Sequence, residues 1–396
     1  MKTNLRSRSM QLLGLAAKVG TREIAQNIKD KLTGAVDEVT SGRLKTRIEQ
    51  AKLIAEHLSQ LKGAAMKAGQ LLSLDAADYF PPEAVEALSK LQGKADPVDW
   101  EILREVLVED LGEEKIADFK GLSIVPAASA SIGQVHRAKL NGRDVAIKIQ
   151  YPGIADSIDS DLKILKTIAQ SLLTVTGRRI DLDETFEELG LVLHQEANYD
   201  LERKHMIEYR ELMASEPGFI VPQAIPEYSS KRVLTMTWEE GLTLQDWLKT
   251  NPPLEQRNKI GQMLLDLYCR EFFDWGFVQT DPNYGNFLIR PKTLELIILD
   301  FGATLRYSAE FRLGYVNLLK KIGSRDPAAV IKASLDFGLI SEREGEETRR
   351  LLAEMMISSL EPFNRENQPF EFKNLEAQID VSPYWDQMVD SESKIK

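Results

Sequence analysis

Three residues near the middle of the second half of this chain have the types and spacing that phosphoryl transfer requires. In Gln279-Thr280-Asp281-Pro282-Asn283-Tyr284-Gly285-Asn286, an aspartate precedes an asparagine by five positions. A second aspartate opens Asp300-Phe301-Gly302. An Asp at the acceptor hydroxyl, with an Asn and a further Asp on the metal ions, is the set that moves a γ-phosphoryl group. The intervening segment supports the pattern. Phe287–Arg290 and Glu295–Leu299 read as two short strands joined by a turn at Pro291–Leu294. That hairpin brings Asn286 and Asp300 to one end, where both can face the same Mg2+.

Upstream, Val145-Ala146-Ile147-Lys148 is a hydrophobic strand ending in a lysine. A lysine there meets the α- and β-phosphates and pairs with a helical glutamate. Two glutamates are candidates, Glu196 and Glu202, on a stretch expected to be one continuous helix over 184–214. Six residues apart, they cannot share a rotational position on it. No Gly-x-Gly-x-x-Gly precedes Val145; Pro126-Ala127-Ala128-Ser129-Ala130-Ser131-Ile132-Gly133 stands in its place. Side chains on Ala128, Ser129, Ala130 and Ser131 make a stiffer nucleotide-facing loop than glycines would. Glu239-Glu240-Gly241 follows the strand expected at Arg232–Trp238 and reads as a hinge whose backbone meets adenine, with Glu239 and Gly241 as its site residues. After Gly302, Ser308 can cap a new helix with Phe311, Tyr315, Leu318 and Ile322 inward. Almost no segment remains there to dock a protein substrate.

The elements that must carry these residues follow from periodicity. Residues 1–95 read as a helical extension, with Leu44, Ile48, Ala51, Leu58 and Leu61 on one face. A helix over 97–111 precedes a three-stranded meander, Ile124–Ser131, Gly133–Leu140 and Asp144–Gln150, with Asn141-Gly142 as the tight turn. Residues 96–240 form a mixed lobe and 241–396 a helical one. The expected fold is α+β, a two-lobed protein-kinase-like arrangement preceded by the N-terminal helical extension.

Composition narrows the function further. The 396 residues carry a net charge of −11, which opposes general nucleic-acid binding. Residues 1–62 hold 12 Lys/Arg against 6 Asp/Glu, so a basic front end precedes an acidic body. That segment reads as a solvated helix face, with contact to an anionic membrane surface as the functional alternative. Four histidines lack metal-site spacing and one cysteine excludes an internal disulfide. No apolar run is long enough for a transmembrane helix, and the early arginines resemble a transit peptide only weakly.

With these motifs assembled, the sequence resembles the UbiB (AarF/ADCK) atypical kinase-like family over roughly residues 45–340. The resemblance rests on Lys67-Ala68-Gly69-Gln70, the Ala128–Ser131 loop running into Ile132-Gly133-Gln134-Val135, Val145–Lys148, and the Asp281/Asn286/Asp300 set. It implies that Lys67 and Gln70 project into the site from the extension and act there with Asp281. It implies Lys148 as phosphate ligand, Glu202 as its partner, Glu196 as the acid facing Lys67, and Asn286 and Asp300 as Mg2+ ligands. ATP or ADP with Mg2+ are the implied cofactors and ATPase activity rather than protein phosphorylation in trans the implied reaction; the alternatives are a small-molecule or protein kinase, or a nucleotide-dependent lipid-binding scaffold without turnover. Ubiquinone or other prenyl-lipid metabolism is the implied setting, with a quinone precursor and quinone-biosynthesis proteins as partners. Two positions depart from the family pattern: Ser129 replaces an alanine, and Asn198 replaces an aspartate. No C-terminal hydrophobic anchor is present, so a cytoplasmic or peripheral membrane location is expected.

Overall fold

The computed structural model describes residues 98–130, 132–175, 182–281 and 283–363. Lys67, Gln70 and Ser131 lie outside them, as does the whole expected extension. Nine α-helices are described: α1 (Trp100–Asp118), α2 (Ile154–Val175), α3 (Asp183–Glu196), α4 (Tyr199–Leu212), α5 (Leu244–Lys249), α6 (Leu254–Cys269), α7 (Ala309–Ile322), α8 (Pro327–Phe337) and α9 (Glu346–Ser359). Ten strands accompany them: β1 (Ala128–Ala130), β2 (Gly133–Leu140), β3 (Arg143–Gln150), β4 (Phe219–Ile220), β5 (Val233–Thr237), β6 (Leu242–Thr243), β7 (Phe277–Gln279), β8 (Phe287–Arg290), β9 (Glu295–Ile298) and β10 (Thr304–Arg306). The chain divides into two compact units, residues 1–263 with 279–304, and residues 264–278 with 305–396.

In the first unit the expected meander is antiparallel, in the order β1-β2-β3-β5. Its β2–β3 turn is Asn141-Gly142, with φ of 51° and 81°. Both are the left-handed values that a two-residue hairpin turn of this twist requires. The first strand is shorter than predicted, because Ile124 and Val125 lie outside it and are exposed. From Val145 to Gln150 every residue of β3 is buried. A strand covered on both faces is a rigid mount for a functional side chain. Lys148 and Gln150 face α3 and α4, as their bonds to Glu202 and to the Ala197 carbonyl show. Helix α1 lies against the sheet, with Leu103 and Leu107 fully buried and Trp100 5.0 Å from the His136 ring. His136 is a hydrogen-bonded strand residue, its Nδ1 2.8 Å from the Ser123 carbonyl. Helix α1 runs past the predicted end at residue 111, but Gly112 is non-helical, with φ at 80°.

A second sheet in the same unit has the order β4-β9-β8-β6. The β8–β9 hairpin pairs Phe287 with Ile298 and Arg290 with Glu295. Phe287, Ile289, Leu296, Ile297 and Ile298 are all essentially buried, which anchors it. Gly241 is glycine here for a packing reason. A Cβ at that position would stand 2.8 Å from the Leu288 Cβ and 3.1 Å from the Ile289 carbonyl oxygen.

In the second unit, the Ser308 hydroxyl accepts from the Phe311 amide and caps α7 as expected. Asp326 likewise caps α8, whose first residue is Pro327. Leu318, Ile322, Val330, Ala333 and Ala353 form this unit's core, with Met356 packed beside them.

Gly241→Ala is expected to destabilise the protein by about 1–3 kcal/mol, the usual cost of overpacking. Chemical denaturation of the variant measures it, and an unchanged midpoint would show that the β6–β8 approach relaxes freely.

Candidate active site

The site is organised by one lysine. Lys148 projects from β3, and its ammonium donates to both carboxylate oxygens of Glu202 on α4, at 2.7 and 2.9 Å. The Glu202 carboxylate is buried and Lys148 nearly so. Asp300 Oδ2 lies 3.7 Å from the same nitrogen. The Tyr199 ring completes this surround, its centroid 4.9 Å from the ammonium. Burial opposes the charge on Lys148, but Asp300 and Glu202 outweigh it and hold the ammonium well above the usual lysine range. Burial pushes the Glu202 carboxyl up to about 7, against the pull of Lys148.

Which glutamate pairs with Lys148 is settled by a break in the expected helix. Helix α3 ends at Glu196 and α4 begins at Tyr199, with Asn198 as its N-cap accepting from the Leu201 amide at 3.3 Å. The single helix expected over 184–214 is thus two helices. The break is pinned from the sheet side, where Gln150 Nε2 donates to the Ala197 carbonyl and Lys231 accepts from the Tyr199 amide. Glu202 therefore meets Lys148. Glu196 is brought in separately: its Cα and Cγ would each be 3.7 Å from a Cβ at Gly302, and it is itself buried. Asn198 does the capping work that an aspartate would do, so that departure leaves the local fold intact. The Asn198-Tyr199-Asp200 sequence carried this signal, a cap residue inside a presumed helix.

The second half of the site sits at one end of the β8–β9 hairpin, as expected. The Leu299 amide donates to the Asn286 carbonyl at 2.9 Å, tying the residue before Asp300 to Asn286. Asn286 Nδ2 lies 3.4 Å from the Asp281 carbonyl, and Asp281 Oδ1 accepts from the Asn283 amide at 3.3 Å. The Gly302 amide donates to Asp300 Oδ1 at 2.9 Å, which orients the carboxylate. His205 on α4 lies 3.0 Å from the Phe301 carbonyl, and Tyr209 packs on the Phe301 ring at 5.0 Å. The helix that supplies Glu202 therefore also grips the segment that carries Asp300.

Further expected site residues lie on β1 and just after β5. Ala128, Ser129 and Ala130 form β1, in register with Val135, Gln134 and Gly133. The Glu239 carboxylate is engaged by Arg290 and by the Thr237 hydroxyl, so only its backbone is left to meet a ligand. Sequence reasoning missed Tyr199 and Gly133. A Cβ at Gly133 would stand 2.6 Å from the Tyr199 hydroxyl oxygen and closer still to the Ile149 carbonyl.

The donor set suits a hard cation. Asn286 and Asp300 offer one amide and one carboxylate oxygen, and Mg2+ in nucleotide sites commonly takes one or two side chains and leaves the remainder to phosphates and water. Among the described residues there is no cluster of three or more His, Cys, Asp or Glu side chains that could hold a metal ion.

The chain is similar to known proteins over most of its length. The family described as the ABC1 atypical kinase-like domain matches residues 90–334. The mitochondrial atypical kinase COQ8 of Saccharomyces cerevisiae is 32% identical over 371 residues, covering 93% of this chain and 73% of its own length. The mitochondrial atypical kinase COQ8B of Danio rerio is 32% identical over 85% of this chain and 54% of its own length. The chain thus spans little more than half of some relatives. A solved structure, the erythromycin complex of Rv3197 from Mycobacterium tuberculosis, superposes with a TM-score of 0.53 at 28% identity, over 82% of each chain. The kinase-like α+β fold, the paired Lys148 and Glu202, and these similarities lead to one conclusion: the chain belongs to the ABC1 atypical kinase-like (UbiB) family.

Proposed function

We propose that this member of the family binds Mg·ATP between Lys148 and the Asn286/Asp300 pair and hydrolyses it in support of ubiquinone or related prenyl-lipid metabolism. One observation carries the reading: a buried ammonium held by Glu202 at 2.7 Å while Asp300 stands 3.7 Å away. That arrangement gives a phosphate chain a fixed positive group beside a carboxylate suited to a metal. Lys148 neutralises charge on the α- and β-phosphates, and Glu202 keeps its ammonium in place. Asn286 and Asp300 hold the metal, which when bound polarises the phosphate oxygens. Asp281 orients a water molecule or an acceptor hydroxyl. The Ala128–Ala130 strand and the Glu239–Gly241 backbone flank the nucleotide. Lys67 and Gln70 lie outside the described residues; on the family resemblance they act at this site with Asp281, where a protein substrate would otherwise lie.

The kinase-like phosphotransferase class follows from the family; ATPase turnover is this chain's proposed expression of it. Only Ala303–Tyr307 separate Gly302 from the α7 cap at Ser308, which leaves little to dock a protein substrate. Two of the relatives named above are mitochondrial. Among the described residues no helix is long and apolar enough to cross a membrane. The basic residues 1–62 are the segment proposed to meet an anionic lipid surface and a prenyl-lipid or quinone precursor, alone or with quinone-biosynthesis proteins.

The test is Mg2+-dependent ATP hydrolysis by the purified chain, with and without anionic liposomes. Asp300→Asn is expected to lower turnover about 100-fold or more, the scale of losing one preorganised electrostatic group. Unchanged turnover in that variant would remove Asp300 from the mechanism, and none in the parent would remove hydrolysis itself.

Lys148→Met is expected to abolish turnover and to cost about 3–5 kcal/mol of stability, because Glu202 is left buried without its counter-charge. The pH dependence has a defined sign. A carboxyl whose folded-state pKa is raised takes up a proton on folding, so its contribution is present at low pH and is lost as pH rises through the folded value. Without Lys148 that value rises further. Melting temperature of the variant should therefore fall more steeply than the parent's between about pH 5 and pH 8. Parallel curves would show that Glu202 finds another cation.

A further inference from the structure

Lys148 and a bound Mg2+ draw on the same carboxylate. The ammonium lies 3.7 Å from Asp300, inside ion-pair range but beyond hydrogen-bond length. Closing that gap would give a direct lysine–aspartate bond and take Asp300 from the metal. Two of the three N–H donors of Lys148 are held by Glu202. What remains around the ammonium is the Tyr199 ring at 4.9 Å, close enough for a cation–π contact. Tyr199 and Glu202 lie three residues apart on α4, which sets ring and carboxylate on one face of one helix. The ring is fully buried, and its backbone amide is fixed to the Lys231 carbonyl. Its far end abuts Gly133, where no side chain fits, so it cannot slide away from the lysine. Among the described residues the Tyr199 hydroxyl has no hydrogen-bond partner, and the ring is the part of the side chain that meets the ammonium.

We infer that Tyr199 is a positioning residue for the metal. Its ring face holds the Lys148 ammonium back from Asp300 and so leaves that carboxylate to Mg2+. The inference rests on the Mg·ATP reading above.

The test compares the full chain with Tyr199→Phe and Tyr199→Met, measuring ATP binding across a Mg2+ titration and, separately, without Mg2+. Tyr199→Phe keeps the ring and should titrate as the parent does, with a melting temperature equal or higher because an unsatisfied hydroxyl is gone. Tyr199→Met keeps bulk but removes the π-face. It should need about threefold or more Mg2+ for half-maximal binding, with a smaller change in metal-free binding. A purely structural role would weaken both kinds of binding alike. A Mg2+ midpoint in Tyr199→Met equal to the parent's overturns the inference, as does a shifted midpoint in Tyr199→Phe. If the parent's own ATP binding ignores Mg2+, the underlying reading falls with it.

Discussion

The buried pair of Lys148 and Glu202 is the constraint on which the rest of the first unit depends. Neither charge survives burial alone, and together they are stable only if a strand and a helix hold them at hydrogen-bond distance. Much of the surrounding structure serves that end. β3 is buried along its working length, α4 is capped by Asn198, and Gln150 and Lys231 fasten the helix start to the sheet. The same helix reaches the second half of the site through His205 and Tyr209, which contact Phe301 beside Asp300. One helix therefore sets the spacing between the Lys148 ammonium and the Asp300 carboxylate.

Much of this was legible in the residues. The hairpin between Asn286 and Asp300 could be read because alternating apolar residues flank a short turn, and the β8–β9 register reproduces it. Asn141-Gly142 announced the β2–β3 turn because only such residues accept two left-handed φ values in succession. Ser308 marked the start of α7 for the same local reason, a hydroxyl free to accept an orphan amide.

What was not legible depended on tertiary contact. The stretch 184–214 reads as helical throughout, and a cap residue at Asn198 inside it is too weak a sign of the break without the contacts that pin it. The residues alone leave Glu196 and Glu202 both open; the family resemblance points to Glu202, and the break sets it against Lys148. Tyr199 looked like any core aromatic, since nothing in sequence reports that a ring 51 residues from a lysine will face its ammonium. Gly241 was read for its place after a strand, whereas its lack of a side chain answers to Leu288 and Ile289 on β8.

The interruption between α3 and α4 also bears on how this scaffold tolerates change in length. In a continuous helix, one inserted residue turns everything beyond it by about 100°. Here α4 starts afresh from its own cap, with its origin clamped to the sheet by Gln150 and Lys231. Additions or deletions upstream in α3 are absorbed before the clamp, and the orientation of Glu202 is insulated from them. The direction in which Glu202 points is thus set by the cap and the clamp, not by the phase of the helix before it.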